Sequence, residues 1–167
     1  MINRRSLLSG AAVAAVGAFA AARHMSGPAQ ASEEFEVTHT DAEWKAMLTD
    51  EQYAVLRHEA TERAFTSPLL NEKRAGTFNC AGCDLPLYAS ETKFKSGTGW
   101  PSFYEALPGA VGTKTDRSFF MTRTEVHCSR CGGHLGHVFD DGPPPTGKRH
   151  CINGVALTFE PKATQSG

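Results

Sequence analysis

The chain has 167 residues, enough for one globular domain plus an appendage, since about 100–150 residues close a single hydrophobic core. Sixteen glycines and nine prolines, with few long apolar runs beyond the N-terminus, exclude a helical bundle and favour a turn-rich, strand-dominated domain. The formal net charge is −1, and beyond residue 31 scattered side chains, 14 basic against 18 acidic, argue against nucleic-acid binding, which needs a cluster of Lys and Arg to displace counterions from phosphate.

Residues 1–31 read as a targeting segment rather than as structure. Arg4-Arg5 precedes a charge-free run rich in Ala and Gly from Leu7 to Ala22, and Ala29-Gln30-Ala31 is a small-x-small cleavage site, so the mature chain is expected to begin at Ser32. Asn3-Arg4-Arg5-Ser6-Leu7-Leu8 resembles a twin-arginine leader, and Arg23 after the apolar run fits that type. The resemblance implies a bacterial protein exported folded to the periplasm. An uncleaved N-terminal anchor facing the same compartment is the alternative. Residues 32–167 form the expected domain, with a core over about 41–161.

Two short helices are expected near 41–48 and 50–60. Thr40 and Thr49 each precede by three residues a Glu or Gln, Glu43 and Gln52, the spacing of a reciprocal capping box. Trp44, Met47 and Leu48 form one apolar edge, and Tyr53 with Leu56 another. Ser67 to Gly76 reads as an extended connection. From Thr77 onward the pattern becomes period two, punctuated by Gly and Pro every eight to twelve residues. Phe120 to His127 and Val155 to Glu160 alternate as half-buried strands, and Gly142-Pro143-Pro144-Pro145 is a stiff loop. The expected class is therefore mainly β with short N-terminal helices.

Cys80-Ala81-Gly82-Cys83 and Cys128-Ser129-Arg130-Cys131 are two knuckles of identical spacing, each able to turn two sulfurs toward one point and together completing a tetrahedron around structural zinc. Gly82 and Gly132-Gly133 suit the tight bends of such sites. A pair of disulfides, or a redox Cys-x-x-Cys, are the competing readings.

Cys151 is the odd cysteine of five, and an unpaired thiol in an exported protein needs an explanation. Along Arg149-His150-Cys151-Ile152-Asn153 a strand would put Arg149, Cys151 and Asn153 on one face, with the guanidinium favouring a nucleophilic thiolate and the amide placed to hold a substrate group. Val155, Leu157 and Phe159 would continue that face into the core. A buried packing cysteine is the alternative. His134-Leu135-Gly136-His137 follows the second knuckle, on which zinc would fix both imidazoles as a proton donor requires. Strict alternation sends them to opposite faces, and a bulge at Gly136 would bring them together. They could equally be extra metal ligands or surface histidines. Trp100, delivered by a glycine-rich turn, is either core or the wall of a pocket for a small apolar group.

Taken together, the knuckles with Gly99-Trp100-Pro101-Ser102-Phe103, His134-Leu135-Gly136-His137-Val138-Phe139, Asp141-Gly142-Pro143, Pro145-Thr146-Gly147 and Arg149-His150-Cys151-Ile152-Asn153 resemble the B-type peptide-methionine sulfoxide reductases, which act on the R epimer. The resemblance spans about Asp41 to Pro161. It implies two antiparallel β-sheets with zinc opposite the active site, Cys151 as catalytic cysteine, and His134, His137, Arg149 and Asn153 shaping the site. Trp100 would receive the substrate's methyl group, and Phe139 is expected beside it as a substrate-binding residue. One position departs from the pattern. Many relatives carry a resolving cysteine where this chain has Thr98, so a sulfenic acid on Cys151 is expected to be reduced by an external thiol, a thioredoxin-like protein. A monomer is expected, acting on oxidised proteins or peptides. Two rival readings are a noncatalytic zinc-ribbon binding module and a Cys-His-Asn hydrolase, the latter disfavoured because an Asn two residues from the nucleophile is badly placed to orient a histidine.

Overall fold

Both capping boxes form in the computed structural model, which describes residues 34–163; the expected leader and its cleavage site lie outside the described residues. Thr40 accepts from Glu43 N while Glu43 closes back on Thr40 N, and Thr49 does the same with Gln52, so each helix starts with two of its orphan donors satisfied. Helix α1 spans Asp41–Met47 and α2 Asp50–His58. The second helix stops two residues earlier than the sequence suggests because Glu59 takes a left-handed conformation, which ends the i to i−4 ladder. Trp44, Leu48, Val55 and Leu56 are buried, whereas Met47 is 55% exposed and lies off the apolar edge assigned to it.

Nine strands follow among the described residues: β1 (Gly76–Cys80), β2 (Pro86–Ala89), β3 (Lys93–Phe94), β4 (Ser102–Phe103), β5 (Val111–Asp116), β6 (Arg123–Cys128), β7 (His134–Phe139), β8 (Arg149–Ile152) and β9 (Leu157–Pro161). They build two antiparallel sheets, one of three strands in the order β2-β1-β9 and one of six in the order β3-β4-β8-β7-β6-β5. An aromatic stack joins them. Phe103 of the larger sheet lies parallel to Tyr88 of the smaller with ring centroids 4.3 Å apart, and Phe78 meets Phe103 edge-on at 5.0 Å. All three rings are fully buried, each contributing on the order of 2–3 kcal/mol of apolar burial.

Two strand expectations are corrected. The run from Phe120 to His127 becomes strand only at Arg123, because Ser118–Phe120 forms a 3-10 turn at the tip of the β5–β6 hairpin, leaving Phe120 exposed. Within β6 Glu125 and His127 are as buried as Val126, since side chains of neighbouring strands supply polar partners on their face. The last strand is also broken. After Ile152 the chain makes a 3-10 turn at Gly154–Ala156 and changes sheet, so the face of Arg149 and Cys151 does not run on into Val155, Leu157 and Phe159.

Candidate active site and metal centre

Strands β1 and β6 end in the two knuckles and bring Cys80, Cys83, Cys128 and Cys131 together, all four sulfurs within 4.8 Å of one another. The Sγ atoms of Cys80 and Cys131 are 3.7 Å apart and those of Cys83 and Cys128 3.5 Å. A tetrahedron of thiolates about 2.3 Å from zinc has edges of roughly 3.8 Å, and a disulfide would need about 2.05 Å, so the donor set fits a four-coordinate metal and not a pair of bridges. The left-handed residue sits one position after each knuckle, at Asp84 and Gly132. Gly82, expected to supply the bend, instead lies under Trp44 and Leu56, by which the two helices close over the first knuckle. Arg57 and Arg130 donate to the carbonyls of Cys131 and Cys83.

Beyond the second knuckle β7 carries an extra residue. His134 pairs with His127 and Gly136 with Val126, so the bulge falls at Leu135, one residue before the position suggested by the sequence. The shift brings His134 and His137 to one side, their rings edge to face with centroids 5.5 Å apart. Cys151 of β8 is the direct partner of His137 on one side and of Ser102 on the other. Directly opposed residues share a face of the sheet, and here that face opens into a cleft of about 130 Å³ lined by Cys151, His137, Phe139, Asn153, Trp100 and Arg123. This is room for about four water-sized groups.

The expected site residues occupy different depths. His137 reaches the cleft, its Nε2 2.8 Å from Asp116 Oδ2. His134 is buried behind it, with Nδ1 2.6 Å from Glu125 Oε1. Asn153 lines the wall, but its amide donates to Leu135 O and accepts from Glu62 N, so neither end is aimed at a ligand or a histidine, and the hydrolase geometry is absent. Trp100 donates from Nε1 to Glu62 O at 3.1 Å, which turns the indole into a fixed wall. Arg149 binds Asp141 through Nε and Nη2 and lies over the Phe139 ring, its Cζ 4.4 Å from the centroid. Asp141 chiefly, with a smaller contribution from Cys151, strengthens the guanidinium's hold on its proton. Thr98 Oγ1 is 3.7 Å from Cys151 Sγ, within the range of a weak hydrogen bond to sulfur, and passes on to Ser96 and Ser102.

Two carboxylates behind the imidazoles are held ionised. Contacts from Ser118, then His137 and Arg123, keep Asp116 well below the usual carboxylate range. Burial would raise Glu125, but the nearby His127, His134 and Lys114 outweigh it and hold this carboxyl low as well. An ionised carboxylate only accepts, so Asp116 fixes a hydrogen on His137 Nε2 and leaves Nδ1 as the atom that exchanges a proton. Burial lowers the His137 pKa; Asp116 opposes this, and Arg123 and His134 add to it. Asp116, Arg123, Glu125 and Glu62 carry no motif in the sequence. The first three come from the hairpin β5–β6, whose register with β7 becomes visible only in three dimensions.

A model of the SelR domain matches residues 48–161. Among curated relatives, the peptide methionine sulfoxide reductase MsrB of Agrobacterium fabrum is 54% identical over 127 residues, covering 75% of this chain and 94% of its own. That of Thiobacillus denitrificans is 57% identical over 124 residues, with 74% and 94% covered. The chloroplastic peptide methionine sulfoxide reductase B1 of Arabidopsis thaliana is 56% identical over 119 residues, 71% of this chain and 59% of the relative. Two antiparallel sheets, four cysteines grouped so that they could hold a metal ion, and relatives that are peptide methionine sulfoxide reductases together define an oxidoreductase. Within it, the chain belongs to the SelR family, that of the MsrB proteins.

Proposed function

We propose that the protein reduces the R epimer of methionine sulfoxide in polypeptides, with Cys151 as the nucleophile. The observation that carries this reading is the register pair His137 and Cys151 in a small cleft walled by Trp100 and Phe139, in a chain whose relatives bear that name. A sulfoxide sulfur is a poor electrophile until its oxygen is protonated. His137, as imidazolium, donates from Nδ1 to that oxygen while the Cys151 thiolate attacks sulfur. Oxygen passes to Cys151 as the sulfur–carbon framework of methionine leaves as the sulfide; the substrate sulfur gains the two electrons that Cys151 loses, and the cysteine becomes a sulfenic acid. Trp100 and Phe139 bound the space for the substrate's methyl and side chain.

Recovery follows from Thr98. No second thiol lines the cleft among the described residues, so an external thiol attacks the sulfenic acid, releasing water and leaving a mixed disulfide. A further thiol then frees Cys151. A dithiol protein of the thioredoxin type in the periplasm supplies both, the compartment being the one the twin-arginine-like leader implies. Cys80, Cys83, Cys128 and Cys131 hold one structural zinc ion. With four thiolate ligands it offers no open position, and its contribution is to fix the knuckle from which β7 departs. The enzyme works as a monomer.

The test is an assay of the full chain on a peptide carrying separated R and S sulfoxides, with Cys151→Ser as control. Consumption of R alone, lost in the variant, supports the reading. Preference for S, or equal activity of the variant, overturns it.

A further inference from the structure

The segment between α2 and the Pro68–Asn71 turn borders the cleft through Thr61, and its next residue, Glu62, ties it to the cleft wall by both main chain and side chain. Glu62 N–H donates to Asn153 Oδ1 at 3.0 Å, and Glu62 O accepts from Trp100 Nε1 at 3.1 Å. Its carboxylate accepts from the backbone N–H groups of Gly154 at 2.5 Å and Val155 at 3.0 Å. These are the first two residues after Asn153, in the turn by which the chain leaves the strand of Cys151 for the other sheet. The approach is close. A Cβ at Gly154 would stand 1.8 Å from Ser67 Oγ of the same segment, so only glycine lets the segment lie this near. Next to this, Phe65 N–H donates to Gly99 O at 2.8 Å, tying the segment to the loop that delivers Trp100.

We infer that Glu62 is a positioning residue for substrate: its carboxylate anchors the segment to the turn after Cys151, and its main chain then holds Trp100 and Asn153 as one wall of the cleft. The inference rests on the reading of the cleft given above. Two hydrogen bonds to a charged acceptor bind more strongly than two neutral ones, whereas the two main-chain ties to Trp100 and Asn153 are weak by themselves and depend on where the segment is held. Releasing the carboxylate leaves the thiol and imidazole in their β7–β8 register and frees the wall. Substrate binding then suffers more than the chemical step, because the wall contacts the substrate side chain before and during reaction alike.

The experiment uses the full zinc-loaded chain with Glu62→Ala and Glu62→Gln. For the R-sulfoxide peptide KM is expected to rise about tenfold in the Ala variant and about threefold in the Gln variant, which keeps one acceptor oxygen, with kcat within about threefold of the parent. Alkylation of Cys151 by iodoacetamide should keep its rate. A lowered melting temperature with unchanged KM would reduce Glu62 to a structural staple and overturn the inference, as would loss of kcat together with slowed alkylation. Should the Ala variant fail to fold, the Gln variant decides by the same readings. A parent without R-sulfoxide activity would sink the proposed function instead. The tie is then read separately: Trp100 is the one indole left in a Trp44→Phe background, and its quenching by iodide should increase on Glu62→Ala if the tie exists and stay unchanged if it does not.

Discussion

His137 and Cys151 are direct partners in the β7–β8 register, so their side chains leave the sheet on the same face with Cβ atoms about 5 Å apart. Both side chains border the cleft, so a reacting group held there meets the ring and the thiol together. The opposite face of the same strands carries Ile152, fully buried, and His150 against Tyr88. The sheet thus turns a packed core on one side into a reactive cleft on the other by strand alternation alone.

Thr98 makes the oxidised state of Cys151 the first quantity to measure. One equivalent of R-sulfoxide peptide without reductant is expected to convert Cys151 to a sulfenic acid that a dimedone-type nucleophile traps, and Cys151→Ser should lower turnover below about one-thousandth. Because Thr98 Oγ1 is 3.7 Å from Cys151 Sγ, Thr98→Cys should place a second thiol within reach, so that trapping disappears and a disulfide to Cys151 appears on mass analysis. Two thiols lost per turnover in the parent, with no trapped adduct, would refute the external-thiol cycle.

In the proposed mechanism Asp116 sets how much of His137 is in the proton-donating form. His137 titrates below its usual value, and Asp116 is the chief group raising it against burial. The imidazolium exists below the folded-state pKa, so the donor form is lost as pH rises through it. Asp116→Asn removes the raising influence, moving that loss to still lower pH and shrinking the donor fraction at neutrality. The expected result is a kcat reduced on the order of ten- to a hundredfold at pH 7, with the decline of kcat displaced to lower pH. An unshifted profile would show that His137 is not the donor.

Much of this architecture was legible in the sequence because its signals are local. The capping boxes at Thr40 and Thr49, the two Cys-x-x-Cys knuckles, and the odd thiol at Cys151 each depend on residues a few positions apart. What escaped depends on pairings distant in the chain. Asp116 reaches His137 only because β5, β6 and β7 pair in order, and Glu62 meets Gly154 across more than ninety residues. Glu125 and His127 read as the polar side of a half-buried strand, since alternation counts residue types and cannot see that neighbouring strands carry the matching partners. The switch of sheets after Ile152 was hidden by an apolar alternation that continues unbroken through Val155, Leu157 and Phe159.

Removing the metal should be a folding event rather than a loss of chemistry. The four knuckle cysteines join the ends of β1 and β6 beneath both helices, and three of them are buried. Without a cation, four thiols crowded within 4.8 Å must share that space as poor hydrogen-bonding groups. Metal analysis is expected to find one zinc per chain. Chelation, or Cys131→Ala, should broaden the thermal transition and lower its midpoint by well over about 10 °C, corresponding to several kcal/mol. Full retention of the melting temperature after metal removal would rule out a structural ion at this centre.

His150 offers a test of the core face by pH. Burial, with help from Lys148, pushes its pKa down from 6.5 to about 4, and Tyr88 OH lies 3.2 Å from its Nδ1, where a neutral ring can accept. The folded state therefore holds His150 uncharged while the unfolded chain takes up a proton below about pH 6.5. Its contribution to stability is complete above pH 6.5 and is lost as pH falls from there to about 4, to the extent of roughly 2 kcal/mol once its partial exposure is allowed for. The carboxylates Asp116 and Glu125 lose their contribution only at lower pH, below the usual carboxylate values of about 4, and Glu62, its pKa raised by burial, is common to the parent and a His150→Asn variant, so the difference between them reports His150. In urea unfolding across that pH range, His150→Asn should be less stable than the parent at pH 7 yet fall less steeply as the pH drops. Parallel curves for the two proteins would mean that His150 is not held neutral by the core.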